Sequence, residues 1–480
     1  MNFIEPLESR IAPALLAPSV DPKGVLHLMH SDASGTAEHV VVTETAANSF
    51  KVEDTLLGNP DLGTFNNVKS IGVVTSTFDD TIDLKFSHDG LAGNLDITTG
   101  GGKNTITLES VDFVSGSIAG KVTIRGGAGD DTVKINNGVA IASPVLFAGG
   151  DGIDAFIPNG AYLAKKLTLD SVENITTQNA LNPVVIGGML VENDHANAVV
   201  TFILNQITTI AGALTYCGSA SVPDNVTLNG NFTGGVKLML LDGTNNVTTA
   251  GTFMNGLSVT GGNDEDTILF NSVSLNSDPT KPPFITANVA GSVSLKLGNG
   301  TNTVTFQDGS FFAKDVSVVT GTGMDTVNMT KGYFAKNLNL SLGNGVNELA
   351  RPVGAADNFV GSTFKYIGGI GGDTLDLDRL VAGNINVVLG NGTNSVTGAA
   401  RIIGKSASFT GGSGMDTISI ALGSTGGSLS AKLGAGADSF TFLGGALASA
   451  KLDGGADNDT LTGITLLPAK QKIVGFETKS

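Results

Sequence analysis

The chain has 480 residues, of which 66 are Gly and none is Trp, and its formal net charge is −17. This charge disfavours nucleic acid and anionic membrane surfaces as partners, because both attract basic patches. Hydrophobic residues make up 41%, which is enough for a continuous core, yet no apolar run reaches the roughly 18 residues that predict a membrane span. The single cysteine, Cys217, excludes an internal disulfide.

Residues 1–20 contain the sequence IEPLESR at positions 4–10, followed by a short apolar stretch. They are too polar for an ordinary secretory signal. The run resembles the Leu-Glu-Pro-Arg-type N-terminal motif of exported repeat proteins from bacteria of the planctomycete and verrucomicrobial type, although the basic residues that often precede that motif are missing. The resemblance implies export or surface sorting. A disordered tail is the alternative.

Residues 21–64 contain apolar, β-branched stretches at 25–28, 40–43 and 50–52. Such stretches predict strands. A repeat array leaves an open sheet edge at its first unit, and that edge has to be covered. We therefore expect residues 21–64 to form an N-terminal cap.

Residues 65–462 carry a repeat whose two forms are LGNGTNTVTF at 297–306 and GGSGMDTISI at 411–420. We call the Asn or Asp at the sixth position of each copy the anchor. Successive anchors are 21 to 26 residues apart from Asn302 to Asp459, and they are Asn302, Asp325, Asn347, Asp373, Asn394, Asp416, Asp438 and Asp459. Upstream the spacing predicts anchors at Asn104, Asp131, Asp154, Asn246 and Asp266, with three degenerate turns between Asp154 and Asn246, and the sequence FDDTIDL at 78–84 is a candidate further copy.

Each copy supplies three short segments with a period of two and no sustained helical period, which predicts strands. Three strands in about 22 residues predict an all-β, right-handed parallel β-helix, a β-solenoid with one copy per rung. Two longer spacings predict loops at 276–283 and 351–358. Residues 463–480, with Pro468 and several Lys, are suited to a C-terminal cap that blunts the last sheet edge.

The turns GGAGDD at 126–131, GGDGID at 149–154, GGSGMD at 411–416 and GGADND at 454–459 share one pattern. It resembles the calcium-binding nonapeptide of the repeats-in-toxin family. The resemblance implies Ca²⁺ held between stacked turns by Asp carboxylates and turn carbonyls. The pattern occurs here once per turn of about 22 residues rather than in tandem, so the calcium-roll geometry of that family is not implied.

The anchors from Asn302 to Asp416 alternate strictly between Asn and Asp. If they stack, each Asn amide can donate to the carboxylates on either side, which stabilises the stack without metal. The alternation fails in two places, where adjacent carboxylates repel unless a cation joins them. The predicted Ca²⁺ ligands are Asp416, Asp438 and Asp459 in one place and Asp131 and Asp154 in the other. The alternative is solvated Asp side chains that cap their own turns.

Parallel β-helices also include polysaccharide lyases and hydrolases, whose sites pair carboxylates alongside Arg or Lys. Residues outside the repeat that could serve are Asp112, Glu173, Glu192, Asp194, Glu348, Arg351 and Arg379, but no pair is selected and no catalytic residue is predicted. With no Trp and only 4 Tyr to stack on sugar rings, the sequence favours a non-enzymatic role.

We therefore expect a structural or adhesive protein that is secreted or held at the cell surface. Its expected partners are cell-surface components, polysaccharide or other copies of itself. A calcium-dependent protein that folds only after export is a third hypothesis.

Overall fold

Strands form throughout the described chain because apolar and polar residues alternate with a period of two. The computed structural model describes residues 15–480 except 31–36, 57–60, 88, 112–116, 137, 178–181, 197, 272–287, 308, 353–355 and 425. The N-terminal sorting motif and the predicted loop at 276–283 lie outside these residues. The chain divides into two compact units, Met1–Gly212 and Ala213–Ser480, which are described in turn.

The described residues of the first unit form twenty strands. They are β1 Leu15–Val20, β2 Val25–His30, β3 His39–Ala46, β4 Ser49–Asp54, β5 Asp61–Asn66, β6 Ser70–Val74, β7 Thr81–Phe86, β8 Leu95–Thr98, β9 Thr105–Ser110, β10 Ser117–Ile118, β11 Val122–Arg125, β12 Thr132–Asn136, β13 Ala140–Ile141, β14 Val145–Ala148, β15 Ala155–Asn159, β16 Tyr162–Asp170, β17 Asn174–Thr176, β18 Val184–Glu192, β19 Val200–Leu204 and β20 Thr208–Ile210.

The described part of the second unit forms twenty-eight strands and a short 3-10 turn at Ile464–Leu466. The strands are β21 Leu214–Cys217, β22 Asp224–Leu228, β23 Asn231–Phe232, β24 Val236–Leu241, β25 Asn245–Thr249, β26 Thr252–Phe253, β27 Leu257–Gly261, β28 Asp266–Phe270, β29 Val293–Gly298, β30 Thr303–Phe306, β31 Ser310–Phe312, β32 Val316–Thr320, β33 Thr326–Met329, β34 Gly332–Phe334, β35 Leu338–Gly343, β36 Glu348–Ala350, β37 Asn358–Gly368, β38 Thr374–Asp376, β39 Leu380–Val388, β40 Asn394–Ile402, β41 Ser406–Thr410, β42 Asp416–Ser424, β43 Gly427–Ala435, β44 Ser439–Gly444, β45 Leu447–Ala456, β46 Thr460–Thr462, β47 Gln471–Val474 and β48 Thr478–Lys479.

In each unit the strands stack into parallel columns, and each turn of the chain adds one strand to every column. The first column precedes the Gly-rich turn, the second follows the anchor, and the third closes the turn. Asn394 pairs with Asp416 and Thr417 with Ser439, so equivalent residues are 22 positions apart. The first unit pairs its strands in the same way, with Thr132 opposite Ala155, 23 positions further along. The predicted parallel β-solenoid with about 22 residues per turn is thus confirmed.

The core of each unit is a set of stacked apolar side chains, one from each inward position. Val304 and Val327 are at most 1% exposed, and Phe312 stacks on Phe334 with ring centroids 5.0 Å apart. Burying one such side chain stabilises the fold by about 1.5–3 kcal/mol. A single turn cannot enclose these groups by itself, so each turn depends on its neighbours.

Both chain ends are attached to the columns by strands. The predicted N-terminal strands at 25–28, 40–43 and 50–52 are confirmed within β2, β3 and β4. Antiparallel pairs join β1 to β2, β3 to β4 and β4 to β5, whereas β2 and β3 pair in parallel with β6 and β7. At the other end β47 and β48 pair in parallel with β45 and β46, so the last strands continue two columns.

Candidate functional site

The anchors form a buried ladder along the edge of the second column in each unit. Asp131, Asp154, Asp416, Asp438 and Asp459 are each at most 1% exposed, and the Asn anchors of the second unit are equally buried. The interpretation of these residues as solvated turn side chains is therefore wrong. A buried polar group must find a partner within the protein, since leaving it unpaired costs about 1–3 kcal/mol.

The partner is the backbone of the preceding turn. The Asn302 N–H donates to Asp325 Oδ1 over 3.0 Å, and the Asp325 N–H donates to Asn347 Oδ1 over 3.2 Å. Bonds of this kind also join Asp80 to Asn104, Asn104 to Asp131, Asp224 to Asn245, Asp266 to Asn302, Asn347 to Asp373 and Asp373 to Asn394. In these pairs the anchor side chain satisfies the buried N–H of the anchor one turn earlier, whereas the N–H groups of Asn245 and Asn394 donate to the Glu265 and Met415 carbonyls.

The Asn amides donate in one direction only. Asn302 Nδ2 donates to Asp325 Oδ1 over 2.9 Å and Asn394 Nδ2 to Asp416 Oδ1 over 2.7 Å, each in the following turn. Toward the preceding turn the Asn side chain accepts, because its Oδ1 faces a backbone N–H. The expectation that each Asn donates to both neighbouring carboxylates was therefore wrong for one side.

Some ladder members were misplaced or missed by the sequence pattern. The ladder residue in β25 is Asn245, which is 0% exposed, and the predicted anchor Asn246 is an exposed neighbour. Glu173 accepts the Asp154 N–H over 2.8 Å and Glu477 accepts the Asp459 N–H over 2.7 Å. Both Glu residues follow a turn that lacks the glycine pattern, and they lie 19 and 18 residues after the preceding anchors, so the sequence pattern did not indicate them.

The structure brings the five predicted Ca²⁺ ligands into the two expected runs. The Asp131 N–H donates to Asp154 Oδ1 over 2.7 Å, the Asp416 N–H to Asp438 Oδ1 over 2.7 Å, and the Asp438 N–H to Asp459 Oδ1 over 2.8 Å. Among the described residues, no three His, Cys, Asp or Glu side chains converge in a metal-binding group. Calcium at these positions stays a prediction.

The second carboxylate oxygen of an anchor Asp occupies space that a glycine leaves open. A Cβ placed on Gly411 would lie 2.0 Å from Asp416 Oδ2, and one on Gly454 would lie 2.6 Å from Asp459 Oδ2. Asp416 Oδ2 also accepts the Gly412 N–H over 3.3 Å, so the side chain caps its own turn as well. The oxygen is thus packed against glycine backbone, which leaves little room for the six to eight oxygen ligands of Ca²⁺.

Burial disfavours the charged form of these carboxyls. It raises to about 7 the pKa of three of them, namely Asp154, Asp224 and Asp266. For Asp154 the charges of Asp131 and Glu173 raise the pKa further. Burial, and then the charges of the anchors on either side, raises the pKa of Asp438 to about 6. These carboxyls therefore bind protons above the usual pH range for Asp, both where the anchors alternate with Asn and where carboxyls are adjacent.

These shifts predict that the fold is more stable at mildly acidic pH than at alkaline pH. A carboxyl whose pKa is raised on folding contributes stability that is complete below its unfolded pKa of about 3.9 and is lost as the pH rises through about 6 to 7. We expect the melting temperature to fall by several degrees between about pH 5 and about pH 8. Thermal unfolding followed by circular dichroism at constant ionic strength measures this, and a melting temperature that rises over the same interval would contradict it.

The non-repeated acidic residues described in the first unit have different environments and do not form one site. Glu173 belongs to the ladder, where it accepts a backbone N–H. Glu192 and Asp194 are exposed, and Asp194 Oδ2 lies 3.9 Å from His195 Nε2. Asp112 lies outside the described residues. The geometry selects no carboxylate pair from this set.

In the second unit Arg351 lies at the start of the predicted loop at 351–358, of which residues 353–355 lie outside the described chain. Its Nη1 is 3.0 Å from Asp378 Oδ2, and its Nη2 donates to the Ala356 carbonyl. Arg379 and Glu348 are exposed. Arg351 is thus paired with Asp378, an acid that the sequence pattern did not indicate, and this pair fixes the loop to the next turn.

A surface groove of about 460 Å³ crosses the start of the first column in the second unit. Its floor is made of small residues that precede successive strands, including Ala213, Gly235, Gly256 and Ser292. Lys237 and Lys314 also line it. The sequence pattern did not indicate this groove, because the groove forms where adjacent turns have small residues at the same position.

No protein-family model, no curated protein and no solved structure matches this chain. Nowhere among the described residues is there a helix with the length and apolarity that a membrane crossing requires. The ladder and the groove are therefore interpreted from their own chemistry.

Proposed function

We propose that this chain is a non-enzymatic structural or adhesive protein that acts outside the cell or at its surface. The proposal is supported most by the regularity of the outward face of the second column. Successive outward positions of that column carry Thr303, Thr326, Glu348, Thr374, Ser395, Thr417, Ser439, Thr460 and Thr478. All but one of these residues bears a hydroxyl.

This arrangement suits repeated weak contacts better than a single reaction. Neighbouring strands are about 4.8 Å apart, so the face presents one hydroxyl at all but one of the steps along this part of the column. Identical contacts repeated along a rigid support add to avidity without any strong individual site. Catalysis needs the opposite arrangement, in which a few different groups converge on one point.

A stack of aromatic side chains on the outward face of the third column also favours this interpretation over a sugar-cleaving enzyme. Phe311, Tyr333 and Phe359 stack on one another in successive turns, with ring centroids 4.9 and 4.7 Å apart. Their ring faces are covered by each other, so a sugar ring has only the ends of the stack to lie on. The stack stabilises the third column, in the manner of aromatic cross-strand pairs.

The test combines location with activity. We expect antibodies against the chain to detect it in the extracellular or cell-surface fraction of the producing cells, and we expect acidic and neutral polysaccharides to keep their chain length when incubated with the purified protein. The measurements are fractionation, reducing-end release and the absorbance of unsaturated sugar products. Shortened polysaccharide would support the lyase or hydrolase alternative, and a purely intracellular location would contradict export.

A further inference from the structure

We propose that the groove lined by Lys237 and Lys314 binds an anionic polysaccharide without cleaving it. The inference rests on the proposed adhesive function and adds a ligand class and a place. Groove and ligand are both extended, and the volume of about 460 Å³ falls in the usual range for ligand sites.

The shape of the groove comes from small residues at one corner in adjacent turns. Strands β21, β24 and β27 are preceded by Ala213, Gly235 and Gly256, whereas β32 and β35 in later turns are preceded by Asp315 and Asn337. A Cβ added to Gly235 would meet no atom within 4 Å. The space above Gly235 is therefore open. In later turns the larger side chains of Asp315 and Asn337 stand at the same position.

The charge of the groove contrasts with the charge of the chain. The protein carries a net charge of −17, yet two of the groove residues are exposed lysines. Neither Lys237 nor Lys314 has an acidic partner in the part of the chain that the structure describes. Asp315, which follows Lys314, instead accepts from the backbone N–H and side chain of Asn337. Two free cations in one groove attract a polyanion.

Hydroxyl groups surround the first lysine. Thr215, Lys237, Ser258 and Ser294 are successive partners on the outward face of the first column, so a hydroxyl lies one or two strands away on each side of the ammonium. Hydroxyls can donate to and accept from sugar hydroxyls and ring oxygens. No aromatic residue lines the groove, whereas proteins that hold single-stranded nucleic acid stack bases on aromatic rings. This combination favours polysaccharide over nucleic acid.

The residues that line the groove include no Asp, Glu or His. Glycoside cleavage needs carboxyl groups on either side of the scissile bond, so these lining residues supply binding alone. The expected ligand is a polymer with carboxylate or sulfate groups spaced along a hydroxyl-rich chain.

The experiment is affinity electrophoresis of the full chain through gels that contain alginate, dextran sulfate or uncharged dextran. Alginate tests carboxylate as the ligand group and dextran sulfate tests sulfate. We expect retardation by at least one of the two charged polymers and none by dextran. The paired substitution Lys237→Gln with Lys314→Gln should weaken binding at least tenfold, on the order of 1.4 kcal/mol.

Gly235→Leu should weaken binding by a similar factor because it fills the groove while keeping both charges, and the open space at Gly235 lets the variant fold. The matched control is Lys451→Gln, since Lys451 occupies the Lys237 position of the first column in a later turn, outside the groove. We expect its binding to equal that of the unchanged chain. Circular dichroism verifies that all variants fold.

Unchanged binding in Gly235→Leu or in the double lysine variant would overturn the proposal. Equal competition by polyglutamate would overturn it as well, because it would show ion exchange without recognition of sugar. If the chain binds neither charged polymer but is found at the cell surface, the proposed role of the groove is wrong, whereas the adhesive function is not contradicted. Shortened polymer would contradict binding without cleavage and would also contradict the non-enzymatic function.

Discussion

Asp438→Asn is expected to raise the free energy of unfolding by about 1 kcal/mol near neutral pH, because it adds a hydrogen bond and removes a like charge from the ladder. Asn at this position can accept the Asp416 N–H and donate to Asp459 Oδ1, as Asn347 does between its own neighbours. The gain should shrink at mildly acidic pH, where the raised pKa of Asp438, about 6, already leaves this carboxyl protonated.

The local sequence of that turn supports the expected gain. In the second unit the residue five positions before the anchor is Leu where the anchor is Asn, namely Leu240, Leu297, Leu342 and Leu389. It is Gly before four of the Asp anchors, Asp266, Asp373, Asp416 and Asp459, and Thr before Asp325. Asp438 follows Leu433, so an acidic anchor stands in a turn of the Asn type. The substitution therefore restores the usual combination.

The matched control is Asp416→Asn, which should destabilise the fold by about 1–3 kcal/mol. Asp416 accepts from Asn394 Nδ2 with one oxygen and from the Gly412 N–H with the other, and an Asn amide would place a donor against one of these donors. Urea unfolding at pH values on either side of about 6 measures both variants. The two variants are expected to change the free energy of unfolding in opposite directions, and destabilisation by Asp438→Asn in the absence of metal would refute this.

The same variant distinguishes a proton from calcium at this run. If Ca²⁺ joins Asp416, Asp438 and Asp459, then millimolar calcium should raise the melting temperature of the unchanged chain, and Asp438→Asn should abolish the rise. If the carboxyls share protons instead, calcium and chelator should give the same melting temperature in both proteins. Thermal unfolding with calcium and with excess chelator separates these two results.

Gly411→Ala is expected to destabilise the fold by more than about 3 kcal/mol, a size reserved for severe overpacking and lost buried bonds. The new Cβ would lie 2.0 Å from Asp416 Oδ2 and 2.1 Å from the Leu433 carbonyl. The backbone of Gly411 has no positive φ, so the loss comes from overlap and not from conformation. Relief of the overlap would expel the carboxylate from the ladder or separate two turns.

The control is Gly235→Ala, because Gly235 also lacks a positive φ and its Cβ would meet no atom within 4 Å. We expect its stability to stay within about 0.5 kcal/mol of the unchanged chain. Combining Gly411→Ala with Asp416→Ala should recover part of the loss, since one of the two overlaps disappears. Two single losses that simply add would show that Gly411 and the carboxylate act independently.

The repeat spacing was sufficient to predict the fold, because strand period and turn length are both local properties of the chain. The residues of the ladder could be predicted only in part. Asn245 and Asn246 are adjacent and chemically identical, and only the register of β25 shows which of them is inward. Three degenerate turns were expected before this anchor, and two of the ladder residues there are Glu173 and Asp224.

The direction of the ladder bonds could not be predicted from composition, since it depends on which backbone N–H each side chain faces. The coupling between Gly or Leu and the anchor type is visible in the sequence once the reason is known. Asp416 Oδ2 fills the space beside Gly411, whereas Leu433 and the other Leu residues at this position fill the core directly. The groove could not be predicted, because it requires small residues to stand at the same position in adjacent turns, and this alignment is seen only in the structure.

Because the ladder bonds all run one way, each turn depends on the turn that follows it in the chain, and this also sets an order in which the turns are completed. Each anchor N–H is satisfied by a residue about 22 positions further along, such as Asp438 for Asp416. A chain that emerges N-terminus first, from a ribosome or through an export channel, therefore always ends in a turn with one unpaired group until the next turn arrives. Glu477 ends this sequence by accepting the Asp459 N–H from within the final segment. Removing that segment would leave the growing end permanently open to a strand from another chain.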